Sequence, residues 1–175
     1  MKKLVVFFPG MGYGMDCPLL YYADFLYETN GYERKVMDYQ SIVLNLKLSV
    51  EDKKKIIRES VINQAKDIEF DTYEEIVFIS KSIGTVEAGW LAKQLSVKVT
   101  QIFLTPVSDT ISYFGADDVV VMGTTDMAYE NVKAACDEKG ISALYIENAN
   151  HSLEVNGEPL KSIEVLKNVM KFIER

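Results

Sequence analysis

Six short runs of apolar residues, rich in valine, isoleucine and phenylalanine, recur along the chain between longer stretches of mixed polarity. Most of these runs are apolar at nearly every position instead of alternating, as expected for parallel strands that are covered on both faces. The pattern predicts strands at 4–8, 34–39, 75–80, 99–105, 118–122 and 141–147.

The stretches between these runs carry signals for helix starts and ends. Ser49 precedes Glu51 and Asp52, which is typical of an N-cap with acidic residues on the first turn, and Gly31 and Gly140 follow two further stretches as helix ends. Helices are therefore predicted at 16–30, 49–67, 82–95 and 127–139, and from 159 to 175. Strands that alternate with helices indicate an α/β fold, namely a doubly wound, mostly parallel six-stranded sheet with helices on both faces.

The composition is that of one globular domain spanning residues 1–175, because 48% of the residues are hydrophobic and 26% are charged. The net charge of −7 disfavours nucleic acid and membrane surfaces as partners. The apolar run near the N-terminus stops at Pro9, too soon for a signal peptide or a membrane span. Cys17 and Cys136 have no metal-type spacing, so we expect a cytoplasmic protein without a disulfide or a metal site.

One serine occupies a position that suits a nucleophile. The third predicted strand runs into Ser80-Lys81-Ser82-Ile83-Gly84, and a helical pattern follows at once. A small residue, the serine and a glycine at this spacing allow a sharp turn that exposes the middle hydroxyl. We expect Ser82 to be a catalytic nucleophile, with Ser80 as a departure from the usual first glycine.

A serine hydroxyl needs a base, and His151 is the only histidine in the chain. It follows the last predicted strand, at the same edge of the sheet as Ser82. Asp126 ends the loop after the fifth strand and is the expected partner of the imidazole, although an isolated aspartate there could also cap the next helix. Asp109, after the fourth strand, is the second candidate for this acid.

An oxyanion needs two backbone N–H donors. Ile83 is expected to supply one donor, and Met11, with Gly12 as the second choice, the other from the glycine-rich loop 10–14. The other residues expected to contact substrate, Gly10, Gly12, Tyr13 and Phe114, come from this loop and from the segment after the fourth strand.

Together these residues resemble the α/β-hydrolase superfamily, in which the order serine, aspartate, histidine recurs. The resemblance covers the loop 9–14, the turn at 80–84, the acid loop at 123–126 and the histidine loop at 148–153. It implies a strand order of 2-1-3-4-5-6 without the family's first two antiparallel strands, no separate lid domain, and a serine esterase or thioesterase that needs no cofactor. Its substrate would be a small ester-like molecule.

Two other functions are compatible with part of this pattern. Gly10, Gly12 and Gly14 follow the first strand and Asp38 ends the second, as in dinucleotide-binding domains, but the third glycine falls one position early. A catalytically inactive binding protein on a hydrolase scaffold is the second alternative, since a fold does not secure a function.

Overall fold

The fold is a six-stranded sheet in which every neighbouring pair of strands is parallel. A computed structural model describes residues 2–40 and 47–174. The strands are β1 (Lys3–Phe8), β2 (Tyr32–Val36), β3 (Glu75–Lys81), β4 (Thr100–Leu104), β5 (Val119–Gly123) and β6 (Ser142–Ile146). Their order across the sheet is β2-β1-β3-β4-β5-β6, which confirms the predicted order.

The helices alternate with the strands as predicted. Within the described residues they are α1 (Pro18–Thr29), α2 (Val50–Ala65), α3 (Gly84–Gln94), α4 (Tyr129–Lys139) and α5 (Pro159–Ile173). Ser49 caps α2, because its side chain accepts the Asp52 N–H at 3.1 Å. Residue 175, the predicted end of the last helix, lies outside the described residues. Two short 3-10 helices, Phe70–Thr72 and Ser108–Tyr113, were not predicted.

The helices cover both faces of the sheet. Val5 and Phe7 pack on one face with residues of α1 and α5, whereas Leu4, Val6 and Phe8 pack on the other face with residues of α2 and α3. Helix α4 covers the same second face over β4 and β5. This division explains the unbroken apolar runs, because successive side chains of each central strand are buried on opposite faces.

The prediction for β2 is wrong by two or three residues at each end. The strand spans Tyr32–Val36, and its three middle residues are exposed because β2 lies at the edge of the sheet. The apolar residues that suggested a later strand, Met37 and Tyr39, are buried just beyond its end. The apolar run therefore corresponds to the buried segment after β2 and not to the paired strand.

The same topology disfavours the dinucleotide-binding alternative. Dinucleotide-binding domains have the order 3-2-1-4-5-6, with a glycine turn that leads directly into a helix. In the part of the chain that the structure describes, β2 alone lies beyond β1, and α1 begins at Pro18, four residues after the last glycine of the loop. Among residues 2–40 and 47–174, no helix combines the length and apolar character needed to cross a bilayer.

Candidate active site

The three residues expected to be catalytic lie side by side at the carboxyl edge of the sheet. Ser82 Oγ is 2.8 Å from His151 Nε2, and His151 Nδ1 is 2.5 Å from Asp126 Oδ2. They come from the loops after β3, β6 and β5. The arrangement can pass a proton from the hydroxyl to the imidazole while the carboxylate holds the other ring nitrogen.

Ser82 stands on a strained turn between β3 and α3, with φ of 54°. This left-handed region is uncommon for residues other than glycine, and such strain is concentrated at functional sites. The Ser82 N–H donates to the Leu104 carbonyl at 3.1 Å, which ties the turn to β4. Gly84 is required next, because a Cβ there would lie 2.2 Å from the Phe8 carbonyl oxygen.

Ser80 occupies the position where the elbow usually has glycine. It is fully buried, and its hydroxyl donates to the Ile102 carbonyl at 3.3 Å. The small side chain therefore fits between β3 and β4 without disturbing the turn.

Asp126 is almost buried, with its side chain 4% exposed, whereas the His151 side chain is 46% exposed. Asp126 Oδ1 accepts the Ala128 N–H at 3.0 Å, so the carboxylate also caps the turn before α4. Burial alone would raise the pKa of Asp126, but hydrogen bonds from His151 and Ala128 and the nearby charge of Lys81 lower that pKa overall. The carboxylate is therefore ionised at neutral pH and can accept the imidazole N–H.

The loop that carries His151 is held by side chains on both sides. Asn150 Oδ1 accepts the Ser152 N–H at 2.8 Å, which closes a tight turn around the histidine. Thr125 Oγ1 donates to the Ala149 carbonyl at 2.8 Å, which joins this loop to the loop after β5. The imidazole is thus fixed by backbone contacts as well as by Asp126.

The glycine loop after β1 lies directly against the nucleophile. A Cβ on Gly10 would be 3.2 Å from Ser82 Cβ. Gly10 and Tyr13 close the turn, since each N–H donates to the other's carbonyl, at 3.0 and 3.4 Å. The N–H groups of Met11 and Gly12, at the tip, donate to no other residue in the described part of the chain. Both remain candidates for the second oxyanion donor.

Two side chains from the segment after β2 anchor this loop. The Tyr39 hydroxyl donates to the Pro9 carbonyl at 2.6 Å, and Gln40 Nε2 donates to the Gly10 carbonyl at 2.5 Å.

Ile83, the other expected donor, directly follows the nucleophile, and its N–H makes no hydrogen bond to residues 2–40 or 47–174. The candidate donors therefore come from backbone that is already fixed, as electrostatic stabilisation of an oxyanion requires.

Tyr13 has a structural contact in addition to its place beside the site. Its hydroxyl oxygen accepts the Leu19 N–H at 3.1 Å, at the start of α1. Burial raises the pKa of Tyr13 to about 12, so the phenol is neutral. Its contact with substrate stays a prediction.

Two other candidates from the sequence lie away from the hydrogen-bonded relay of Ser82, His151 and Asp126. Phe114 was expected to contact substrate, but it is buried in the core with its ring 5.4 Å from that of Phe103. Asp109, the second candidate acid, pairs with Lys54 at 3.0 Å on the surface. Asp109 lies in the 3-10 helix Ser108–Tyr113 and Phe114 follows it directly, and this helix packs against α3 and α4.

The sequence interpretation missed two buried polar residues at the site, Lys81 and Thr105. Lys81 Nζ donates to Thr105 Oγ1 at 2.5 Å and to the His151 carbonyl at 2.8 Å. The alternation of β3 contained a signal, since Lys81 follows Val77 and Ile79 on the face that α1 and α5 cover. A lysine at the end of this apolar face indicates a buried charge.

Two depressions of similar size lie near the relay. One, of about 450 Å³, is lined by Val107, Met127 and Ala128 together with Asp126 and His151. The other, of about 440 Å³, lies between α1, the histidine loop and α5, and Tyr13 forms part of its wall. Across the described residues, no three histidine, cysteine, aspartate or glutamate side chains are grouped as a metal site would need.

No protein-family model and no curated protein sequence matches the chain. Solved structures do. An α-β serine hydrolase homologue from Coxiella burnetii superposes with a TM-score of 0.70 at 14% identity, covering 98% of this chain and 85% of that one. A dienelactone hydrolase from Anabaena variabilis gives 0.68 at 13% identity, with coverage of 98% and 85%.

A third structure extends the comparison to a mammal. The mouse α/β-hydrolase domain-containing protein 10 gives a TM-score of 0.67 at 11% identity, covering 97% of this chain and 87% of the mouse chain. Identities this low bear on the fold alone. Combined with the parallel sheet and its strand order, these superpositions establish that the chain has the α/β-hydrolase fold.

Proposed function

We propose that this protein is a serine hydrolase that cleaves a small ester or thioester through an acyl-enzyme on Ser82. The observation that carries the proposal is the continuous hydrogen-bonded relay, in which His151 lies 2.8 Å from Ser82 Oγ and 2.5 Å from Asp126. A nucleophile, a base and an orienting acid within hydrogen-bond reach are the elements of acyl transfer. The strained φ of Ser82 supports the same role.

In the first half-reaction, His151 Nε2 takes the proton of Ser82 as Oγ attacks the carbonyl carbon of the substrate. The carbonyl oxygen becomes an oxyanion, which the N–H of Ile83 and the N–H of Met11 or Gly12 stabilise. When the intermediate collapses, the imidazolium gives its proton to the departing alcohol or thiol. The acyl group is then held as an ester on Ser82.

In the second half-reaction, His151 takes a proton from water as the water oxygen attacks the acyl carbon. The second oxyanion collapses, the imidazolium returns its proton to Ser82 Oγ, and the carboxylic acid leaves. Asp126 keeps the proton on Nδ1 throughout, so that Nε2 presents its lone pair to the hydroxyl or to water. The half-exposed imidazole gives water access for this step.

The depression beside His151 supports a small, uncharged substrate. Its volume of about 450 Å³ is near the lower end of the range for small-molecule sites. Its wall includes Val107, Met127 and Ala128, and Asp126, the one carboxylate that lines it among the described residues, is engaged by the histidine. The acyl or alcohol portion that fits here is therefore short and apolar.

The test is covalent labelling with a fluorophosphonate, followed by hydrolysis of p-nitrophenyl esters of increasing acyl length. Wild-type protein should be labelled and Ser82→Ala should not, because the phosphonate reacts with an activated serine. Ser96→Ala, at an exposed serine beyond α3, is the matched control and should be labelled like the wild type. Turnover should be highest for short acyl chains.

Two results contradict the proposal. Labelling that persists in Ser82→Ala would mean that another residue is the nucleophile. A wild-type protein that is folded yet neither labelled nor active on any ester would favour the inactive binding protein.

A further inference from the structure

Lys81 is the least expected residue of the site. It is the last residue of β3 and is 1% exposed, although lysine is almost never fully buried without a partner. Val77 and Ile79, which precede it on the same face, belong to the apolar core. An apolar side chain would suit this position. Burying an ammonium group costs free energy unless other groups bind it, so its partners matter.

The ammonium group has three partners, one on each of three other loops. It donates to Thr105 Oγ1 after β4 at 2.5 Å and to the His151 carbonyl after β6 at 2.8 Å, and it lies 4.9 Å from the ring centre of Tyr13 after β1. Since Lys81 itself adjoins Ser82, one side chain connects the nucleophile turn, the glycine loop and the histidine loop. Both of its hydrogen-bond partners, the Thr105 hydroxyl and the His151 carbonyl, are neutral groups.

Thr105 completes this connection in a strained conformation. Its φ is 43°, which is an outlier for a β-branched residue, and it is fully buried. Its hydroxyl accepts from Lys81 and donates to the same His151 carbonyl at 3.0 Å. Two side chains from different strands thus hold one carbonyl, and that carbonyl belongs to the residue expected to act as the base.

We propose that Lys81, together with Thr105, is a positioning residue that sets the orientation of His151 by binding its backbone carbonyl. The inference rests on the proposed function, because the orientation matters for turnover only if His151 is the base. The side chain of His151 is half exposed and has Asp126 as its partner on one side and Ser82 on the other. The hydrogen bonds to the His151 carbonyl restrain the backbone from which the ring projects.

The charge of Lys81 also fits this role. Burial lowers the pKa of Lys81 to about 8, while Asp126 and Cys17 act in the opposite direction. Lys81 is therefore still largely protonated at pH 7 and can donate all three protons. The positive charge lies close enough to Asp126 to help keep that carboxylate ionised.

The kinetic test compares Lys81→Met with Lys66→Met, which removes an exposed lysine at the end of α2. Lys81→Met should lower kcat for p-nitrophenyl esters about 10- to 100-fold with little change in KM, since small misplacement of a catalytic group has effects of this size. Lys66→Met should match the wild type. Equal kcat in Lys81→Met and wild type would overturn the proposal.

A second pair of variants keeps the test independent of one substitution. Thr105→Val removes the hydroxyl at nearly constant shape, and Thr105→Ser retains it. We expect Thr105→Val to lose more activity than Thr105→Ser. The reverse order, with both variants folded by circular dichroism, would show that the methyl group and not the hydroxyl matters.

A spectroscopic test does not depend on activity, because the chain has a single histidine. Protein without a histidine tag, labelled with ¹⁵N-histidine, gives ring nitrogen signals from His151 alone. In Lys81→Met these signals should show an altered tautomer balance and a weakened Nδ1–H bond to Asp126, whereas Lys66→Met should leave them unchanged. Unchanged signals in Lys81→Met would refute the positioning role, while changed signals in a protein that no fluorophosphonate labels would retain the role and reject the proposed function.

Discussion

Replacing Lys81 with methionine should remove a specific pH dependence from the stability of the protein. Burial lowers the pKa of Lys81 from 10.5 to about 8 in the folded state. Between these two pH values the unfolded chain binds more protons than the folded chain, so the free energy of unfolding of the wild type rises with pH. At about 1.36 kcal/mol per pH unit, the shift in this pKa corresponds to about 3 kcal/mol over the window.

The sign follows from the charge that is buried. Below pH 8 both states carry the ammonium, and the folded state bears the full cost of burying it. As pH rises towards 10.5 the folded state loses the proton first and that cost disappears. The wild type should therefore gain about 3 kcal/mol relative to Lys81→Met between pH 7.5 and 10.5.

The assay is urea unfolding followed by circular dichroism at half-unit steps across this range. Comparing the two proteins at each pH cancels the contribution of the shared titratable groups that do not interact with Lys81, such as the Lys98–Asp117 pair on the surface. The quantity of interest is the difference in unfolding free energy as a function of pH. A flat difference, or one that falls with pH, would refute the assignment of a buried, charged lysine.

Asp126→Asn should leave the far-ultraviolet circular dichroism unchanged but lower kcat by about 10⁴-fold, the loss that the same change causes in a serine protease through the wrong histidine tautomer; a loss below tenfold would contradict its role. Gly84→Ala should destabilise the protein by about 1–3 kcal/mol or prevent folding, because its Cβ would meet the Phe8 carbonyl at 2.2 Å. Gly12→Ala is the control in thermal unfolding, since nothing lies within 4 Å of its Cβ, and equal melting temperatures for the two variants would disprove the steric argument.

Much of the fold could be predicted from the sequence because the signals are local. The central strands β1, β3 and β5 are buried on both faces, and their apolar runs stand out for that reason. The edge strand β2 has three exposed residues in its middle, so its apolar signal came from the loop beyond it. The order of the strands came from the family resemblance and not from the pattern of residues.

The relay could be predicted because each of its members follows a strand in the same sheet. Parallel strands bring their carboxyl ends to one edge, so Ser82, Asp126 and His151 meet without any knowledge of side-chain packing. Phe114 and Lys81 could not be placed in this way. Whether an aromatic ring enters the core or a lysine turns inward depends on neighbours that only the tertiary structure supplies, here Phe103 for the ring and Thr105 for the ammonium.

The left-handed backbone of Ser82 has a consequence for engineering. Glycine adopts this φ without the cost that a serine carries there, and the adjacent buried Lys81 occupies a position suited to an apolar residue. Sequence design that selects for folding stability alone would therefore replace both Lys81 and Ser82. A thermostable redesign that keeps the proposed activity has to leave positions 81 and 82 unchanged, because the proposed chemistry needs a serine and a lysine that selection for stability alone would replace.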